Sequence, residues 1–146
     1  MSQYFDMGEE TLWNPSNGAS RLFLRQVAVF EAELGLASGI GPMEADECQI
    51  DPAALGVFVH ALLTQYRRTH HSIVPALSEG FVATMLVLAD RAGVGVCWTP
   101  TVIGPDGGLA DVQAPAEPAV SGYADEDAWA HRLREKAREL DRMMAR

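Results

Sequence analysis

Apolar residues recur every three or four positions in four segments of the chain, and this spacing predicts helices. The first segment covers about residues 19–36, between the turn signals of "NPSNGAS" and "ASGIGP". The second begins at Asp51, whose carboxylate can cap free amides, and Pro52, which fits the first helical position; it ends near Arg68. The apolar stripe of the first predicted helix contains Leu22, Phe23, Val27, Phe30 and Leu34.

The third segment, about residues 77–92, is apolar at nearly every position instead of along one stripe. A helix that is apolar all round is typically surrounded by other helices, so we expect it at the centre of the core. Ser72 is the expected N-terminal cap and Gly93 the expected stop. Asp90 and Arg91, at the far end of this helix, are expected on the surface.

The last segment, "DEDAWAHRLREKARELDRMMAR", predicts a C-terminal amphipathic helix over residues 123–146. Residues 100–122 before it are rich in Pro, Gly and Ala and lack periodicity, which predicts a linker or long loop. A helix on such a tether either packs back on its own domain or docks on a partner, and the pattern fits both arrangements. Its narrow apolar stripe consists of Trp129, Leu133, Ala137, Leu140 and Met144.

Short alternating stretches predict a small β element. The stretch "QYFDMGEETLWN" fits a hairpin or an extended N-terminal segment, Cys48 and Ile50 alternate with polar neighbours, and residues 94–99 alternate in the same way. The predicted fold is therefore mainly α, of the α+β class. It has a three-helix core with a two- or three-stranded β element in residues 1–99, a linker in 100–122 and a tethered helix in 123–146.

The placement of charge adds a candidate surface. The chain has 146 residues, the length of one domain, and a net charge of −9. Residues 1–51 hold nine acidic residues against two arginines, whereas residues 125–146 are balanced at six against six. An acidic first third repels nucleic acid and anionic membranes and attracts a basic partner.

Six of these acids would converge on one patch if the N-terminal segment pairs with the strand near Cys48. They are Asp6, Glu9, Glu10, Glu44, Asp46 and Glu47. Such a patch would steer a basic protein partner towards the chain. A solvated face that only keeps the protein soluble is an equal alternative.

The sequence contains no run of about 18 apolar residues and no basic and apolar N-terminal leader. We therefore expect a cytoplasmic protein with no membrane and no nucleic acid among its partners. In a reducing compartment Cys48 and Cys97 are expected as free thiols, both buried as small apolar side chains.

Candidate catalytic residues lie around the junction of the second and third helices, where His70 and His71 are adjacent and Glu79 enters the apolar segment. A carboxyl group of raised pKa beside an imidazole would suit general acid or base catalysis, and this is the alternative, catalytic interpretation. The simpler interpretation is a turn whose imidazoles bond the end of a helix, with Glu79 in solvent. No spacing selects zinc ligands, a nucleophile elbow or a phosphate loop, so we expect no metal and no cofactor.

Three stretches, "SQYFDMGEETLW", "ECQIDPAALGVFVHALL" and "GFVATMLVLADRAG", together resemble a family of short actinobacterial proteins of unknown function. The resemblance covers about residues 2–93 and leaves the linker and the last helix outside it. It implies a bacterial, cytoplasmic protein and carries over no activity, cofactor or catalytic residue.

The sequence thus favours a non-catalytic, acidic protein-binding module, such as an immunity or antitoxin-like protein that masks a basic partner. Its binding surfaces would be the six acids and, on the last helix, Trp129, Leu133 and Leu140. The alternative is a small-molecule enzyme or ligand-binding protein with a pocket between helices, lined by the third helix, Trp98 and the histidine pair. A homodimer through the C-terminal helix is compatible with either function.

Overall fold

The structure, a computed structural model, describes residues 1–69, 71–98 and 122–146. In chain order these contain β1 (Tyr4–Met7), β2 (Glu10–Trp13), α1 (Asn17–Leu34), β3 (Glu47–Gln49), α2 (Pro52–Arg68), α3 (Ile73–Arg91) and α4 (Gly122–Met143). Helices predominate beside a small sheet, which confirms the predicted α+β class. The predicted linker lies outside the described residues, except for Gly122, where α4 begins.

Local signals set most helix ends. The Asp51 carboxylate accepts hydrogen bonds from the amides of Ala53 and Ala54, so α2 begins at Pro52 as predicted. Gly35 ends α1 in the left-handed conformation, with a φ of 63° that favours glycine. Ser72 occupies the N-cap position of α3, as predicted, because the helix begins at Ile73, but its side chain makes no capping hydrogen bond.

The sheet has the strand order β2-β1-β3, with β1 and β2 antiparallel and β1 and β3 parallel. This confirms the N-terminal hairpin and the strand at Cys48. Phe5 pairs with Cys48 and both side chains are buried, so this face of the sheet covers the core.

The strand predicted for residues 94–99 is wrong over the described residues 94–98, which form no ladder. The alternating side chains of Val94, Val96 and Trp98 pack against the core as an irregular segment instead. Alternation of apolar and polar residues indicates which side chains are buried, but a strand also needs a neighbouring strand to pair with.

The middle helix α3 is the centre of the core, as its all-apolar sequence predicts. Phe81 and Leu88 are buried along it, and α2 and α4 pack against it. From the side of α1, the Phe30 ring stacks on Phe81 with centroids 4.4 Å apart, and Phe23 joins Phe81 to the sheet residues Phe5 and Trp13. Leu22, predicted in the buried stripe of α1, is exposed instead.

By length and composition α3 is the one described helix that could also cross a membrane. Half of its most apolar 18-residue window is buried inside the protein. A core helix of a soluble protein meets the same criteria, so the structure is compatible with a soluble protein.

Candidate functional site

The strand register places four of the six predicted partner-binding acids together. Asp6 on β1 lies beside Gln49 on β3, and Tyr4 lies beside Glu47, with these side chains directed away from the core. Glu44 is bridged to Glu47 across a tight turn that contains Asp46. We call Asp6, Glu44, Asp46 and Glu47, with the exposed Tyr4, the acidic sheet face.

Glu9 and Glu10 do not belong to this surface, so the predicted convergence of all six acids is wrong. They follow the far end of β1, and Glu10 pairs with Met7, whose side chain lies on the opposite face from that of Asp6. Glu10 meets a cation there, since its Oε1 lies 3.8 Å from Nη1 of Arg146 with both side chains exposed. An exposed ion pair of this length contributes little to stability.

The turn of the acidic sheet face holds two residues other than glycine in the left-handed conformation, Ala45 at a φ of 49° and Asp46 at 67°. Two backbone hydrogen bonds between Glu44 and Glu47 close the turn, at 2.8 and 2.9 Å. The Gln3 side chain donates to Asp46 Oδ1 at 3.1 Å and fixes that carboxylate. A strained conformation at an alanine costs about 1 kcal/mol, so the surrounding contacts hold this turn in place.

Asp6 carries a carboxylate oxygen, Oδ1, that is buried without a hydrogen-bond partner among the described residues. A buried acceptor without a donor costs about 1–3 kcal/mol. Its negative charge also acts on the neighbouring Cys48, whose thiol donates to the Gly41 carbonyl at 3.1 Å. Burial, with a smaller contribution from Asp6, raises the pKa of Cys48 to about 11. Cys48 is thus inert, as predicted, whereas Cys97 is exposed and its predicted burial is wrong.

The apolar stripe of α4 packs on its own chain. Leu133 is fully buried and Leu140 is half-buried, while the Trp129 ring lies 5.6 Å from that of Tyr66 and 6.1 Å from that of Trp98. Of the two arrangements considered for this helix, the structure has the one in which it packs back on its own domain. Trp129 and Leu133 therefore contact the core of the same chain rather than form a free surface.

Arg91 holds α4 in place, and its predicted position on the surface is wrong. Its side chain is only 4% exposed and pairs with the Asp141 carboxylate, with Nη2 at 2.7 Å from Oδ1. The guanidinium also donates to the carbonyls of Asp141 and Met144 at the end of α4, and to that of Leu12 in β2. The sequence signal for this burial is the position of Arg91 at the end of a long apolar run, one residue after Asp90. The end of a buried helix can place such an arginine inside the protein.

The residues of the catalytic interpretation are not brought together in the described part of the chain. His70 lies outside it, and His71 is exposed ahead of α3. Glu79 is half-buried one and a half turns into α3, where burial and then the charge of Glu79 raise the pKa of Tyr66. No hydrogen bond joins His71 to Glu79 among the described residues, so a catalytic role for them stays a prediction.

A groove of about 450 Å³ lies between α3 and α4 and reaches the irregular segment at Trp98. It is lined on one side by Leu86 and Asp90 of α3 and on the other by Arg134 and Arg138 of α4. The Arg134 guanidinium lies 4.3 Å from the centre of the Trp98 ring, a cation–π contact. The predicted pocket lined by α3 and Trp98 thus has a counterpart, without His71 or Glu79 in its wall.

The described residues contain no group of three or more His, Cys, Asp or Glu side chains placed to hold a metal ion.

Comparison with known proteins matches the chain to one family model over residues 1–146. The chain belongs to the DUF6086 family, a family of unknown function. The resemblance to a family of unknown function is confirmed, and the DUF6086 match extends further than residues 2–93, because it includes α4 and the residues before it. No curated protein and no solved structure matches the chain.

Proposed function

We propose that this DUF6086 member is a non-catalytic protein-binding module, and that its acidic sheet face receives a basic segment of another protein. The observation that carries the proposal is that, among the described residues, no Lys, Arg or His side chain forms an ion pair with the acids of the acidic sheet face. Of the first 51 residues only Arg21 and Arg25 are basic, and both belong to α1 rather than to the sheet.

The chemistry of the acidic sheet face suits lysine and arginine side chains. Glu44 and Glu47 are exposed and the described residues offer them no ion pair, so both carboxylates are available. Tyr4 stands exposed beside Glu47 and offers an aromatic ring to a guanidinium.

The finer form of the proposal is an immunity or antitoxin-like protein of a bacterial cytoplasm that covers a basic surface on an enzyme. Opposite charge of this kind raises association rates, and it disfavours nucleic acid as a partner.

Removing two negative charges from the acidic sheet face should weaken capture of the partner. The double variant Glu44→Gln/Glu47→Gln keeps the shape of both side chains and removes two charges. Immobilised wild-type protein should retain a basic protein from a lysate of the source organism and release it with salt, because screening weakens exposed charge contacts. The double variant should retain at least roughly tenfold less, since rim and surface charges each contribute about 1 kcal/mol.

The matched control is Glu135→Gln/Glu139→Gln, which removes two exposed acids from α4 and should leave capture unchanged. Equal retention by the Glu44→Gln/Glu47→Gln variant and the wild type would contradict the proposal. Release that does not depend on salt would contradict it as well.

A second candidate function is supported by the groove between α3 and α4. Its volume of about 450 Å³ is that of a small-molecule site. It combines the Trp98 ring with two arginines and two carboxylates, Asp90 and Asp141, the second of which is paired with Arg91. An amphipathic anion would place its apolar part on Trp98 and its charge near Arg134 and Arg138.

The fluorescent anion 1-anilinonaphthalene-8-sulfonate tests this candidate directly. The wild-type protein should bind it with enhanced fluorescence, and Arg134→Ala should weaken binding roughly tenfold because it removes a charge and the cation–π contact. Arg132→Ala, an exposed arginine of the same helix, is the control. Identical titrations of wild type and Arg134→Ala would exclude the groove as the binding site.

A further inference from the structure

The outer face of α1 presents an exposed apolar ridge in the part of the chain that the structure describes. Leu22 and Val29 are 62% and 57% exposed, and Leu36, directly after the glycine that ends the helix, is exposed as well. Leu22 and Val29 are seven residues apart, close to two helical turns, so they line up along one side, and Leu36 lies just past the end of the helix at Leu34. The opposite side of α1 is buried through Phe23 and Val27.

The ridge continues onto the start of α3. Val29 and Phe30 of α1 and Val74 and Leu77 of α3 line one groove of about 220 Å³. Leu77, Val74 and the neighbouring Ile73 are exposed although they are apolar. A contiguous apolar surface of this kind marks an interaction site.

Helix α1 carries Arg21 and Arg25 in its first half and Glu31 and Glu33 in its second half. Arg25 and Glu33 stand four residues before and after Val29, and both are exposed without an ion pair among the described residues. Leu22 and Leu36 stand seven residues before and after it. We call Leu22, Arg25, Val29, Glu33 and Leu36 the α1 face.

We propose that the α1 face docks on the α1 face of a second copy of the chain, antiparallel and with Val29 on the twofold axis. A twofold contact uses the same surface on both copies and must be complementary to itself. In this register Arg25 of each copy meets Glu33 of the other, Val29 meets Val29, and Leu22 lies opposite the segment that follows the end of α1 in the other copy. A parallel pairing would oppose like charges, so the charge pattern selects the antiparallel one.

This dimer is independent of the proposed partner binding, because no residue of the acidic sheet face takes part. It also differs from a dimer through the C-terminal helix, whose apolar stripe contacts the core of its own chain.

Light scattering during size-exclusion chromatography of the chain of residues 1–146 tests the dimer. The wild type should have twice the chain mass of 15.8 kDa, and Val29→Glu should halve it by placing two carboxylates at the axis. Because Val29 lies at the centre of the proposed interface, Val29→Glu should raise the dissociation constant of the dimer roughly a hundredfold. The matched control is Val57→Glu, a valine of α2 that is 60% exposed and outside the α1 face, and it should remain dimeric.

Charge reversal tests the register. Arg25→Glu and Glu33→Arg should each give monomers, because each opposes like charges twice in its homodimer. An equimolar mixture of the two variants should restore the dimer mass, since every facing pair is then of opposite charge. A monomeric wild type, a dimeric Val29→Glu, a monomeric Val57→Glu or a mixture that stays monomeric would each overturn the proposal.

Discussion

Replacing Arg91 with methionine should lower the free energy of unfolding by about 3–4 kcal/mol. The substitution keeps the apolar stem and removes the guanidinium that joins three separate parts of the chain, α3, β2 and the end of α4. The carbonyls of Leu12, Asp141 and Met144 then lose a charged donor, and charged hydrogen bonds contribute about 1.5–3 kcal/mol each without adding fully. Equilibrium unfolding in urea measures the difference.

Two further variants separate the role of Arg91 from a general effect of charge. Arg91→Lys keeps the charge but not the planar fork, so its loss should be intermediate. Arg142→Met removes an exposed arginine from α4 and should change stability by less than about 0.5 kcal/mol. If Arg91→Met loses no more than Arg142→Met, the guanidinium does not hold α4.

Leu133→Ala should cost about 3 kcal/mol by a different mechanism. Leu133 is fully buried where α4 meets the core, and truncation removes apolar contacts and leaves a cavity. Because α4 makes its main contacts with α3, hydrogen exchange should also become faster along α4 than along α2. Urea unfolding and hydrogen exchange by mass spectrometry measure the two effects.

Met143→Ala is the control for this prediction, since it truncates a long apolar side chain that is exposed on the same helix. Its effect should stay within about 0.5 kcal/mol. Equal stability of Leu133→Ala and Met143→Ala would mean that α4 leaves the core readily, as the docking of this helix on a partner would require.

The position of α4 bears on the proposed function, because an α4 that packs on its own chain leaves the acidic sheet face as the proposed binding surface. With its apolar stripe held by Leu133 and its end held by Arg91, α4 is part of the domain, so the acidic sheet face carries the proposed partner binding. A dimer through the α1 face would present two copies of that surface to a partner.

Sequence by itself determined the elements whose signals are local. Asp51 and Pro52 fixed the start of α2, because a cap and a proline act on the next turn of the same segment. The apolar run around Phe81 fixed the burial of α3, because so apolar a helix is stable only when other elements cover it.

Only the tertiary structure decided the features that depend on contacts between distant segments. The pairing of β1 with β3 placed Asp6 beside Gln49 and separated Glu10 from them, and a strand register has no local signal. The burial of Arg91 depends on carbonyls about 50 and 79 residues away in sequence, which no periodicity can indicate. Periodicity in the sequence indicates that a side chain is buried. The fold determines which residues bury it, because these contacts join different elements and their energy depends on distance in space.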